Sequence, residues 1–152
     1  MEEFLGLAES FRNKRLKIVV NIEIINIKGE VNRGGILINQ LIVRIENGLG
    51  FAGSFYLYWQ FDFPIWLFFV LLLVPDITMV GYALNTKIGA FIYNIGHSFI
   101  LPIFLLLLYV VFSTDVLLLI ALIWSAHIFI DRLFGYGLKY KGDFKETHIQ
   151  RI

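Results

Sequence analysis

Two histidines and two aspartates stand in stretches that are otherwise almost free of charge. Asp76 follows Val74-Pro75, His97 ends Asn94-Ile95-Gly96-His97, and His127 and Asp131 lie in one long apolar run. His127 and Asp131 are four residues apart and Asn94 and His97 are three apart, so each pair shares a helix face. Two imidazoles and two carboxylates make a mixed nitrogen and oxygen donor set that suits a divalent ion such as zinc, manganese or iron. An ion held there would acidify a water for hydrolysis. Asp76, His97, His127 and Asp131 are therefore the candidate ligands and catalytic residues, with Asn94 or one carboxylate orienting the water. Two other uses of these residues stay open. One is a structural cluster in which the aspartates pair with Arg132, Arg44 or a histidine. The other is a relay for protons or ions. No HExxH phrase is present, so nothing points to a metalloprotease.

These residues must be positioned by membrane-spanning helices. The chain is 58% hydrophobic and 16% charged, whereas soluble domains carry about a quarter charged residues. Only Asp62, Asp76, Lys87, Asp115 and Asp131 are charged between positions 49 and 131, too few to cover a soluble core. A helix crossing about 30 Å of hydrocarbon needs roughly 20 apolar residues. The spacing predicts four such spans, over residues 41–59, 64–84, 88–112 and 116–134. Arg44 and Glu46 weaken the first, Glu46 reading as an interfacial helix-end charge. Pro75 interrupts the second, opening the helix beside Asp76 and freeing a carbonyl. Ser113-Thr114-Asp115 carries N-cap chemistry, and Gly135 and Gly137 end the fourth. Phe55, Tyr56, Tyr58, Trp59, Phe61 and Trp66 read as an interfacial belt.

Loop charge gives the orientation. Positive residues precede span one, sit between spans two and three (Lys87), and follow span four (Arg132, Lys139, Lys141, Lys145, Arg151). The positive-inside rule then places both termini in the cytoplasm. Helix rise puts Asp76 and His127 about 18 Å from the outer face and His97 about 14 Å from the inner one. The expected fold is an all-α integral membrane protein with four transmembrane helices in a bundle. Its parts are a cytoplasmic arm over residues 1–36, the transmembrane domain over 37–134, and a basic aromatic tail over 135–152. Within the arm, residues 18–27 alternate like a strand and 28–35 read as a loop. The arm is either a genuine cytoplasmic segment or, if the true start lies near Ile36 or Leu37, not part of the product. The tail reads as an anchor on anionic lipid, or as a flap that brings His148 or Arg151 over the site. A net charge of +1 offers no broad field for nucleic acid. The absence of cysteine excludes disulfides and thiolate metal sites. The outer halves of the spans are apolar, so a monomer offers no polar path to both faces; an oligomer would be needed to build one.

Several phrases carry a family resemblance. Pro75-Asp76-Ile77-Thr78-Met79-Val80-Gly81-Tyr82, Tyr93-Asn94-Ile95-Gly96-His97-Ser98 and Ala126-His127-Ile128-Phe129-Ile130-Asp131-Arg132 resemble the bacterial domain of unknown function 4260 family. So do Gly135-Tyr136-Gly137-Leu138-Lys139-Tyr140 and Phe144-Lys145-Glu146-Thr147-His148. The resemblance covers residues 41–152, implies a small multi-span protein of the bacterial plasma membrane, and assigns no activity. A looser similarity links Asp76, His97-Ser98 and the His127/Asp131 pair to membrane-bound proteins predicted to be metal-dependent hydrolases. Thr78 stands where that group has a second aspartate, and the earlier histidine of its longer histidine phrase is absent. By analogy the substrate would be lipid-linked or delivered within the membrane.

A reporter fused after Ile152 is expected to be active only in the cytoplasm. Activity confined to an external reporter would reverse the orientation and the depths drawn from it.

Overall fold

The computed structural model describes residues 1–140 and 147–151. Lys141 and Lys145, two of the positive charges assigned to the tail, lie outside the described residues. The chain forms two units, Met1–Ile38 and Asn39–Ile152. Helix α1 is assigned over Glu2–Gln60, α2 over Ile65–Leu71, α3 over Thr86–Gly96, α4 over Ile100–Phe112 and α5 over Asp115–Phe134. A 3₁₀ segment, Val74–Ala83, follows α2, and a 3₁₀ turn, His148–Arg151, closes the described chain. Among the described residues the only β pairing is one antiparallel bridge, Lys139 with Thr147.

The strand expected over residues 18–27 and the loop over 28–35 are instead helical. The physical reason is backbone pairing. A lone strand leaves its N–H and C=O groups without partners, whereas a helix satisfies them within the segment. The run Ile18, Ile22, Ile25 fits a helical period as well as an alternating one.

Among the described residues three helical stretches are long and apolar enough to cross a membrane: Ile65–Ala83, Thr86–Phe112 and Asp115–Phe134. These match the expected second, third and fourth spans. Residues 41–59 are helical too, but Arg44, Glu46 and Asn47 make them less apolar, and they fall outside that set.

The C-terminal part of α1 packs on α2 and α5 through an aromatic core. Phe68 lies at its centre, with ring centroids 5.0 Å from both Phe55 and Tyr58. Leu118, Leu122 and Ala126 of α5 close the cluster. Phe55 and Tyr58 therefore belong to this core and not to an interfacial belt, while Tyr56, Trp59, Phe61 and Trp66 are exposed. Helical spacing explains the split: Phe51, Phe55 and Tyr58 share the face turned toward α5.

Two of the spans are broken, and the breaks shape the site. Pro75 has no N–H, so the second span changes from α2 to 3₁₀ geometry around it. The third span breaks between Gly96 and Ile100. Asn85 caps its first half by accepting from the Ile88 N–H at 2.8 Å, and Pro102 lies in the first turn of its second half. Glycines let α3 approach the 3₁₀ segment closely. A Cβ at Gly89 would lie 2.8 Å from the Tyr82 Cα, and one at Gly96 would lie 2.5 Å from the Thr78 methyl. Such close contact by small residues is how helices associate where lipid supplies no hydrophobic drive.

Gly89→Ala should therefore destabilise the fold by about 1–3 kcal/mol, read as a lower melting temperature in detergent. An unchanged melting temperature would mean that the two segments do not pack this closely.

Candidate metal centre

Asp76, His97, His127 and Asp131 converge from three of the helical stretches. One donor atom from each lies within 4.8 Å of all the others. The two Nε2 atoms are 3.0 Å apart. His97 Nε2 lies 3.5 Å from both Asp76 Oδ1 and Asp131 Oδ2, and His127 Nε2 lies 3.7 and 3.9 Å from the same oxygens. Donors about 2.0–2.1 Å from a tetrahedral zinc would be separated by about 3.3–3.4 Å. The histidine–histidine and histidine–aspartate separations, 3.0–3.9 Å, bracket that value.

Backbone carbonyls orient both rings. His127 Nδ1 donates to Leu72 O at 2.7 Å, and His97 Nδ1 donates to Tyr93 O at 3.0 Å. A carbonyl only accepts, so each Nδ1 carries a proton, and in a neutral ring the Nε2 then presents a lone pair. The Leu72 carbonyl is available because Pro75, three residues on, has no N–H, while the Asp76 N–H bonds Leu73 O at 3.2 Å. The proline was expected to free a carbonyl, and the 3₁₀ bonding around it makes that carbonyl Leu72 O. Thr78 donates to Pro75 O at 2.7 Å and lies 3.5 Å from His97 Nδ1. It supports the ring from behind and is not one of the four donors.

The histidines are buried and the aspartates face outward: side-chain exposure is 3% for each histidine, 22% for Asp131 and 42% for Asp76. Outside them lies a cavity of about 310 Å³ lined by Asp76, Met79, Tyr93, Asp131, Tyr136 and Lys139.

Asn94 has a different place from the one expected. Its Nδ2 donates to Lys139 O at 2.9 Å and its Oδ1 accepts from Lys139 N at 2.7 Å. The side chain is thus occupied in clasping the tail, and it is not among the four donors. Glu46 is exposed, consistent with a helix-end charge. Arg132 lies over the Phe99 ring, 4.5 Å from its centroid, and Arg44 lies against Gly135 at the end of α5.

Two contributors were missed in the sequence. Tyr93 stacks on His97 with ring centroids 3.7 Å apart and donates to Asp131 Oδ2 at 3.3 Å. Its spacing of four residues from His97 was the available signal. Lys139 was counted with the tail charges, yet it is only 9% exposed, and its ammonium lies 4.5 Å from the Tyr93 ring centroid. Burial pushes its pKa down, while the charges of Asp131 and Asp76 push it up. No local pattern marks it.

The tail folds back on itself. His148 Nδ1 accepts from Leu138 N at 2.8 Å, and Thr147 donates to Gly135 O. His148 serves this fold and is not one of the four donors. Burial, aided by the charge of Arg132, holds the His148 pKa below its ordinary value.

Comparison with known proteins gives one match. A family model described as Domain of unknown function (DUF4260) matches residues 40–152. No curated protein matches, and no solved structure matches.

The His148 contact sets a pH dependence. Above the unfolded value of about 6.5 the ring is neutral in both states and the contact is fully present. As pH falls below that value the unfolded chain takes up a proton that the folded tail resists, so stability is lost. Protection of the Leu138 amide from hydrogen exchange should therefore drop between about pH 7.5 and pH 5.5 relative to amides of α5. The drop should vanish in His148→Asn, and equal pH responses in the two proteins would contradict the assignment.

Proposed function

The chain belongs to the domain of unknown function DUF4260 family, whose name assigns no activity, and on that premise we propose an integral membrane protein whose Asp76, His97, His127 and Asp131 bind one divalent transition-metal ion for hydrolysis. One observation carries this reading. One candidate ligand atom from each of the four lies within 4.8 Å of the others, and the two Nε2 atoms stand 3.0 Å apart while both Nδ1–H groups are committed to carbonyls. Within helical spans such a set repels itself until a cation lies between its members. The Tyr93 hydroxyl donates to Asp131, one of the four.

The nitrogen and oxygen mixture suits zinc, manganese or iron, and the ion would supply Lewis acidity for hydrolysis. The chain's own residues would do the rest. His97 and His127, fixed by Tyr93 O and Leu72 O, would hold it from the buried side. Asp131, held by Tyr93, and Asp76 would complete the coordination. Asp76, the most exposed of the four, faces the cavity and is suited to take the proton of an attacking water. The substrate would be lipid-linked or delivered within the membrane, because the donors lie on the three apolar spans.

The same reading makes residues 41–59 a fourth span, supported by their aromatic packing against α5. Both termini would then be cytoplasmic in a bacterial plasma membrane, as the loop charges favour. Exposed Tyr136 and Tyr140 suit the headgroup level, with the basic tail beside them against anionic lipid.

Zinc at a hundredfold over its Kd should stabilise the purified full chain by about 2.7 kcal/mol, read as a rise in melting temperature. Asp131→Asn removes one charge while keeping the shape and should abolish most of that rise. Elemental analysis should find the ion in the native protein and a large loss in Asp131→Asn. A folded native protein with no metal-dependent shift would overturn the proposal in favour of a hydrogen-bonded cluster with a shared proton.

A further inference from the structure

A second cavity, of about 210 Å³, lies between α5 and the break in the second span. Leu71, Val74 and Pro75 line one side of it and Ile120, Ile123 and Trp124 the other. The one polar group among these six side chains, the Trp124 indole N–H, is committed to Gly96 O at 2.7 Å. The cavity therefore offers a ligand nothing but apolar contact. Both of its walls belong to stretches apolar enough to cross a membrane, and the solutes available at that depth are hydrocarbon chains.

Its position beside the four-residue centre gives it a use. Ile120, Ile123, Trp124, His127 and Asp131 follow one another at helical spacing and share one face of α5. Helix rise puts Trp124 about 4.5 Å before His127 along that face and Asp131 about 6 Å beyond it. Asp131 and Tyr136 in turn line the larger cavity. The second span repeats the order, for Pro75 lines the apolar cavity and Asp76, the next residue, lines the larger one. Apolar cavity, donors and larger cavity thus succeed one another along α5. We propose that the apolar cavity holds the hydrocarbon chain of a lipid whose polar part occupies the larger cavity, so that the bond between the two lies at the centre. This rests on the metal reading above, and it narrows the substrate to an acyl lipid cut where chain and headgroup join. The depths suit a lipid: Trp124 lies at the middle of α5, hence at mid-bilayer where chains end, and Tyr136 lies just past its end, where headgroups lie. At about 30 Å³ for a group the size of a water or a methylene, the volume of about 210 Å³ takes about seven carbons.

The test uses the full chain in phosphatidylcholine nanodiscs, loaded with zinc, desalted and titrated with two hydroxamic acids that share a zinc-binding head. Acetohydroxamate ends in a methyl group, whereas octanohydroxamate carries a chain that matches the cavity. Ile120→Trp fills the cavity from a half-buried position and leaves the four donors in place. It should weaken octanohydroxamate by about tenfold or more and leave acetohydroxamate within about twofold of wild type, because only a tethered chain meets the added ring. Val74→Phe fills the same space from the opposite wall and gives the same comparison should Ile120→Trp fail to fold. Equal octanohydroxamate affinity in wild type and the filled variant, with zinc bound to both, would overturn this proposal alone. A parallel loss of both acids would also overturn it, since the effect would then lie at the centre and not along the chain. No zinc uptake by the wild type would overturn the metal reading and this proposal with it.

Discussion

Two carbonyl groups govern the rest of the structure. Leu72 O and Tyr93 O each accept an imidazole Nδ1–H, and in doing so they turn two Nε2 lone pairs toward the same point. Without those bonds either ring could turn or change tautomer, and each histidine could satisfy itself with an ordinary hydrogen bond. With them, both Nε2 atoms and a carboxylate oxygen from each aspartate gather at one centre. The placement of Asp76 and Asp131, the stacking of Tyr93 and the burial of the histidines all follow from holding that arrangement.

Uninterrupted helices could not supply it. Inside a span every carbonyl is normally taken by the chain's own N–H groups, as a hydrocarbon surrounding requires. Pro75 releases one such carbonyl and the switch to 3₁₀ geometry turns Asp76 toward the histidines. The break after Gly96 ends α3 at His97, and Trp124 Nε1 donates to Gly96 O at 2.7 Å, satisfying a carbonyl that the break exposes. Gly89 and Gly96 then bring this half-helix against the 3₁₀ segment closely enough for Thr78 to stand behind His97. Helix breaks that would be a defect in a plain span are here the means of positioning the donors.

The tail completes the cavity from outside the spans. Gly135 ends α5 with a φ of 91°, a conformation that glycine adopts without strain, and the chain reverses there. Asn94 reaches from α3 to hold the returning segment by its main chain. A residue that reads as a surface charge thereby becomes part of a buried wall.

The sequence by itself determined the membrane character, the family, the break at Pro75, and the four residues that gather at one centre. Each of these rests on a local quantity: hydropathy over a span, a missing N–H at proline, or two residues a turn apart on one face. Tertiary structure alone decided three other things. It put Asn94 on the tail instead of beside the centre, because its partner lies 45 residues away. It made Phe55 and Tyr58 core and Lys139 a cavity residue, because burial depends on which elements meet and not on residue type. It also made residues 18–27 helical where alternation suggested a strand. A strand needs a partner to satisfy its backbone, and no pattern within ten residues can say whether the rest of the chain provides one.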